Sequence, residues 1–149
     1  METIETRFGI IEYEPDNLLH FPSGLIGLPN LQNFIVIPPK KDGPIFWIQS
    51  VDEPDYAFIL TDPTNFFLDY RVAPDDSERL TLRIEPDEDC YALSVVTVTP
   101  DQTITLNLAA PILFAPKSNR AIQVILESGT YQTKTPLPEI KPEPKAAEK

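Results

Sequence analysis

A chain of 149 residues with a formal net charge of −11 is long enough to bury one core and too acidic to hold phosphate backbones by charge, which disfavours direct nucleic-acid binding. Its apolar residues nowhere form the run of ~18 that crosses a bilayer, and the opening METIETRFGI lacks the basic-then-apolar pattern of a secretory leader, so a cytoplasmic protein without a membrane role is expected. One cysteine, Cys90, and one histidine, His20, are too few for an internal disulfide or a zinc site of thiolates and imidazoles, and no cofactor is expected.

TIETRFGII, residues 3–11, alternates in side-chain character and puts Ile4, Thr6, Phe8 and Ile10 on one face if extended, which predicts a strand. HFPSGLIGLP, residues 20–29, carries Gly24 and Gly27. A phosphate-cradling glycine loop needs a helix N-terminus and usually a lysine, and neither follows. The stretch reads instead as a bend in which Pro22 starts a turn, Gly24 or Gly27 takes a positive φ, and Leu25, Ile26 and Leu28 pack beneath it. NFIVIP (33–38), IFWIQSV (45–51) and YAFIL (56–60) are the next predicted strands. In the second, Phe46 and Ile48 share one face and Trp47 and Gln49 the other, and the lone tryptophan is expected in the core.

PTNFFLDY, residues 63–70, is the best helical candidate and is short. APDDSE, residues 73–78, reads as an acidic turn. LTLRIE (80–85), CYALSVVTVT (90–99), TITLNL (103–108) and AIQVIL (121–126) are predicted strands. Pro-Asp recurs at residues 15–16, 54–55, 74–75, 86–87 and 100–101. Proline presets φ for the second position of a type I turn and aspartate bonds nearby amides, so each dipeptide is a turn between strands. The predicted fold is all-β: a single antiparallel, barrel-like domain over residues 1–133, followed from Lys134 to Lys149 by a mobile, charged, proline-rich tail.

Catalytic constellations are thin. Asp62 and Asp69 flank PTNFFL as a possible carboxylate pair, but Asp62-Pro63 suits a turn better. Cys90 with His20 and Asn107 would make a nucleophilic set only if the fold assembled them, and a cysteine opening a strand is usually a small apolar filler. EPDEDCY, residues 85–91, lacks the glycine and closing glutamate of a familiar calcium loop. An acidic β module that binds carbohydrate or calcium through loop carboxylates remains the alternative reading.

FPSGLIGLP (21–29), PIFWIQSVDEPDYAFILTDPTNFFLDY (44–70), TITLNLAAPILF (103–114) and AIQVILESGTY (121–131), taken in series, resemble the flagellar assembly factor FliW family. Leu28 and Pro29 depart from the phenylalanine and acidic residue common there, and LFAPKSNR departs from the family pattern after its Ala-Pro-Ile. The resemblance implies a non-enzymatic, chaperone-like bacterial protein of flagellum biogenesis. It would bind flagellin and, in competition, the translational regulator CsrA, so that freed FliW lifts CsrA repression of flagellin messenger RNA. For this chain, expected as a monomer, Asp69, Tyr70, Asp75, Asp76 and Glu78 are the CsrA-binding candidates. Leu108, Ile112 and Phe114 are the flagellin-binding candidates, as an exposed apolar edge.

Overall fold

The computed structural model describes residues 2–6, 8–38, 43–126 and 131–136. Beyond Pro136, the stretch expected to be a mobile tail lies outside the described residues.

The first apolar run is not one strand. β1 (Glu2–Thr6) and β2 (Gly9–Tyr13) pair as an antiparallel hairpin with Glu2 opposite Tyr13 and Thr6 opposite Gly9. The reversal is local chemistry: Thr6 Oγ1 accepts from Phe8 N at 3.0 Å and donates to Gly9 O at 2.9 Å, and Gly9 sits at φ +96°. The alternation predicted over 3–11 therefore breaks at its centre.

The other strands are β3 (Leu19–His20), β4 (Asn33–Ile37), β5 (Ile45–Ser50), β6 (Ala57–Thr61), β7 (Tyr91–Val98), β8 (Ile104–Leu106), β9 (Ile112–Ala115), β10 (Arg120–Gln123) and β11 (Thr135–Pro136). Among the described residues they form one sheet ordered β11-β8-β7-β6-β5-β4-β3-β10-β9. Tyr91 to Leu93 of β7 also pair with Phe114 to Ile112 of β9, and this closes the sheet into a barrel-like ring. The predicted all-β, barrel-like class is the class observed. One pairing breaks the antiparallel rule: β10 meets β3 in parallel, Arg120 beside His20.

Directly opposed residues on neighbouring strands share a face. Inside the ring lie Leu19, Phe34, Ile48, Leu60, Leu93, Ile112 and Ala121, all buried. One end of the interior is stoppered by the glycine-bearing bend, which sends Phe21, Leu25 and Leu31 into the same cluster. Leu25 and Leu28 exchange backbone hydrogen bonds of 3.2 and 2.8 Å, and both glycines take positive φ, +69° at Gly24 and +81° at Gly27. Ile26, expected beneath the bend, is exposed, because it occupies the tip of this tight loop where its amide donates to Gln123 Oε1 at 2.9 Å.

Outside the ring, two further apolar clusters are covered by connections. Residues 62–72 cross the outer face, where Tyr70 packs with Val96, Leu106 and Leu108. The second cover is a helix, α1 (Asp76–Leu82), whose Leu82 packs with Ile84, Leu113, Ala115 and Ile122. This corrects two predictions, the turn over 73–78 and the strand over 80–85. Asp75 Oδ1 accepts from Glu78 N at 2.8 Å, and Glu78 Oε1 accepts from Asp75 N at 2.9 Å, so a reciprocal capping box starts the helix. Arg83 ends it at φ +60°. Replacing Asp75 by alanine removes one half of that box and is expected to lower stability by about 1 kcal/mol, read as a lower urea midpoint with unchanged slope.

Pro-Asp chemistry behaves as predicted at four sites. The carbonyl before each proline accepts from the residue after the aspartate: Glu14 from Asn17 at 2.9 Å, Glu53 from Tyr56 and Glu85 from Glu88 at 3.0 Å, and Thr99 from Gln102 at 2.8 Å. At Pro74-Asp75 the aspartate caps α1 instead. Trp47 is half-buried on the outside of β5, its ring 5.2 Å from Phe8 of the hairpin in an edge-to-face contact, so the lone tryptophan joins the hairpin to the ring instead of filling the interior.

Candidate functional site

Among the described residues no helix is long and apolar enough to cross a membrane. Among the described residues no group of three or more His, Cys, Asp or Glu side chains is placed to hold a metal ion. Asp62, His20 and Asn107, singled out as candidate catalytic side chains, are each engaged by another group. Asp62 Oδ1 is occupied by Thr64, accepting from its amide at 2.9 Å and its hydroxyl at 2.6 Å, where it caps a single 3-10 turn over Pro63–Asn65. His20 Nδ1 lies 2.9 Å from Asn33 Oδ1, and Asn107 Oδ1 accepts from Ala110 N at 3.0 Å. Cys90 packs on the outer cluster under α1, where burial pushes its thiol pKa up, the wrong direction for a nucleophile.

The acidic candidates divide by what already holds them. Asp69 and Asp76 are exposed, and the carboxylates of Asp75 and Glu78 are committed to the capping box. Tyr70 is buried: its hydroxyl donates to Leu108 O at 2.8 Å and its ring meets Tyr131 edge-to-face at 4.8 Å. Burial raises the Tyr70 pKa, with the neighbouring Tyr131 adding to the rise, so the hydroxyl stays protonated and donating at neutral pH. Tyr70 therefore shapes this surface from beneath and does not itself reach solvent. Beside Asp69 a depression of about 440 Å³ is lined by Phe67, Leu68, Leu108, Tyr131 and Gln132, with Leu68 78% exposed.

A second acidic rim lies at residues 87–89. There the Glu88 carboxyl is held below its ordinary range, chiefly by the amide of Glu85 and then by Lys117, whose Nζ is 3.2 Å away.

The apolar edge expected from Leu108, Ile112 and Phe114 is not an edge. Leu108 and Ile112 are buried, Leu108 in the outer cluster and Ile112 inside the ring. Leu108 follows β8 and Ile112 opens β9, and in a closed sheet whose outer face is also covered here, both faces are interior. Phe114 alone is partly open, at an apolar depression of about 270 Å³ that it shares with Leu19, Val36, Pro38, Phe46 and Leu93. Sequence reasoning did not single out Val36, Phe46 or Leu93, because nothing local to NFIVIP, IFWIQSV or CYALSVV says that these strands meet at one end of a ring.

Comparison with known proteins settles the family. The FliW protein family model matches residues 2–137. The chain belongs to the FliW family. It is 63% identical over 141 residues to the flagellar assembly factor FliW 2 of Desulfotalea psychrophila, covering 95% of this chain and 93% of that one. Identity is likewise 63% over 137 residues to the flagellar assembly factor FliW of Syntrophotalea carbinolica, covering 92% and 98%. A crystal structure of the flagellar assembly factor FliW superposes with a TM-score of 0.82 at 30% identity, over 96% of this chain and 99% of that one. The FliW match extends through β11, so the last described strand lies within the family's shared region.

Proposed function

We propose that this chain is a flagellar assembly factor that works by occupancy without a chemical step: it binds newly made flagellin in the cytoplasm and, when vacant, binds the RNA-binding regulator CsrA and relieves its repression of flagellin messenger RNA. Near full-length identity to FliW proteins carries the reading. The charge is consistent with it, since a net −11 attracts a basic RNA-binding protein and repels the RNA itself. The fraction of the protein free for CsrA then follows from the flagellin concentration relative to its dissociation constant.

On this reading the exposed carboxylates of Asp69 and Asp76 meet cations of CsrA. Asp69→Lys combined with Asp76→Lys leaves the capping box intact and is expected to weaken CsrA binding about 5- to 30-fold while flagellin affinity stays within twofold. Calorimetry against each purified partner reads both numbers. Undiminished CsrA affinity in the double variant removes this surface, and flagellin that fails to release wild-type protein from CsrA removes the switch.

A further inference from the structure

The two ends of the ring are not alike. At one end, Phe21, Leu25 and Leu31 close the interior. At the other, residues whose register points them inward remain open to solvent. Val36 is opposite the core residue Ile48 and two positions from the core residue Phe34, yet it is 47% exposed. Tyr91 is opposite Phe114 and two positions from the core residue Leu93, yet it is 48% exposed. An inward-facing β-branched or aromatic side chain half open to water marks an interior that the described residues leave uncovered.

Between these positions lies the depression lined by Leu19, Val36, Pro38, Phe46, Leu93 and Phe114. Its volume of about 270 Å³ is below the ~300 Å³ at which drug-sized ligand sites begin, and its lining offers no ionisable side chain to orient a cofactor. It fits one or two bulky apolar side chains. Val36 and the neighbouring Leu18 also line an adjoining groove with Glu12 and Glu14, both exposed. An apolar cup beside two carboxylates complements a peptide segment that carries an apolar anchor next to lysine or arginine.

We propose that this open mouth is the docking point for such a segment of a partner protein. It rests on the reading above, under which the basic regulator meets the Asp69 and Asp76 surface and the second partner, newly made flagellin, is left to this mouth, which shares no lining residue with the depression beside Asp69. Phe114 then belongs to the flagellin surface, whereas Leu108 and Ile112 do not. The acidic groove further requires that the docked segment be cationic beside its anchor.

The test uses the full-length chain and purified monomeric flagellin. Val36→Asp places a charge at an already half-exposed position, so thermal unfolding is expected within a few degrees of wild type while flagellin affinity falls at least tenfold. Glu12→Lys with Glu14→Lys is expected to weaken flagellin binding several-fold and flatten its salt dependence. CsrA affinity is expected to hold within twofold in both. If wild-type protein binds flagellin and Val36→Asp binds it equally well, the mouth is not the site, although the functional reading stands. If wild-type protein does not bind flagellin, that reading falls and the docking proposal with it. Loss of CsrA binding alone, or a wild-type dimer in sedimentation that Val36→Asp dissociates, assigns the mouth to another occupant and also overturns the proposal.

Discussion

Phe34→Ala is expected to cost about 3–5 kcal/mol, the range for deleting a buried aromatic ring, and to lower the melting temperature by roughly 6–20 °C for a domain of this size. Phe34 is fully buried, and it holds two rings at once, with Phe21 at 5.1 Å and Phe58 at 6.3 Å, both edge-to-face. Those contacts join the stoppering bend to the strands of the ring. Truncation leaves a cavity at their junction that neither a strand held by its ladder nor a bend held by positive-φ glycines can collapse to fill. Thermal and urea unfolding measure the loss, and a cost below about 1.5 kcal/mol contradicts this placement of the core.

Gly24→Ala is expected to destabilise by about 3 kcal/mol or more, well beyond the ~1 kcal/mol expected of Gly27→Ala. Both glycines have positive φ, so both substitutions carry the left-handed penalty. Only at Gly24 does a Cβ collide, 2.6 Å from Leu28 O, Pro29 Cα and Pro29 O, and these are backbone atoms that cannot rotate away. At Gly27 nothing lies within 4 Å. The pair of variants separates close approach from dihedral strain within one loop. Equal losses, measured by urea unfolding, contradict the close approach at Gly24.

The same loop shows how much was readable beforehand. A glycine-proline bend with apolar residues beneath it was predictable, because proline and positive-φ glycine act through their own backbone. The depth of the clash at Gly24 was not, since it depends on where Pro29 returns. Capping is a comparable case at α1: Asp75 and Glu78 stand at the spacing of a capping box, a helix signal present in APDDSE and outweighed in the sequence reading by its resemblance to a turn.

For the candidate site, exposure was the missing quantity. Charge at residues 69–78 and apolarity at residues 108–114 were both visible, but the fold buries Tyr70, Leu108 and Ile112, occupies Asp75 and Glu78, and leaves Asp69 and Asp76 exposed and Phe114 partly open. Side-chain alternation assigns residues to one of two faces without saying which of them reaches water.

What the sequence determined by itself was therefore local or a simple sum: strands from β-branched runs, reversals at Glu-Pro-Asp, and a strongly acidic net charge. Those properties arise within a few residues or from a sum over all of them. Only the tertiary structure decided which faces are interior and that the described residues close one end of the ring and not the other, because both depend on β7 meeting β9 and on the bend filling the closed end. Contacts between residues so far apart in the chain are set by the packing of the whole core, and no short stretch encodes them.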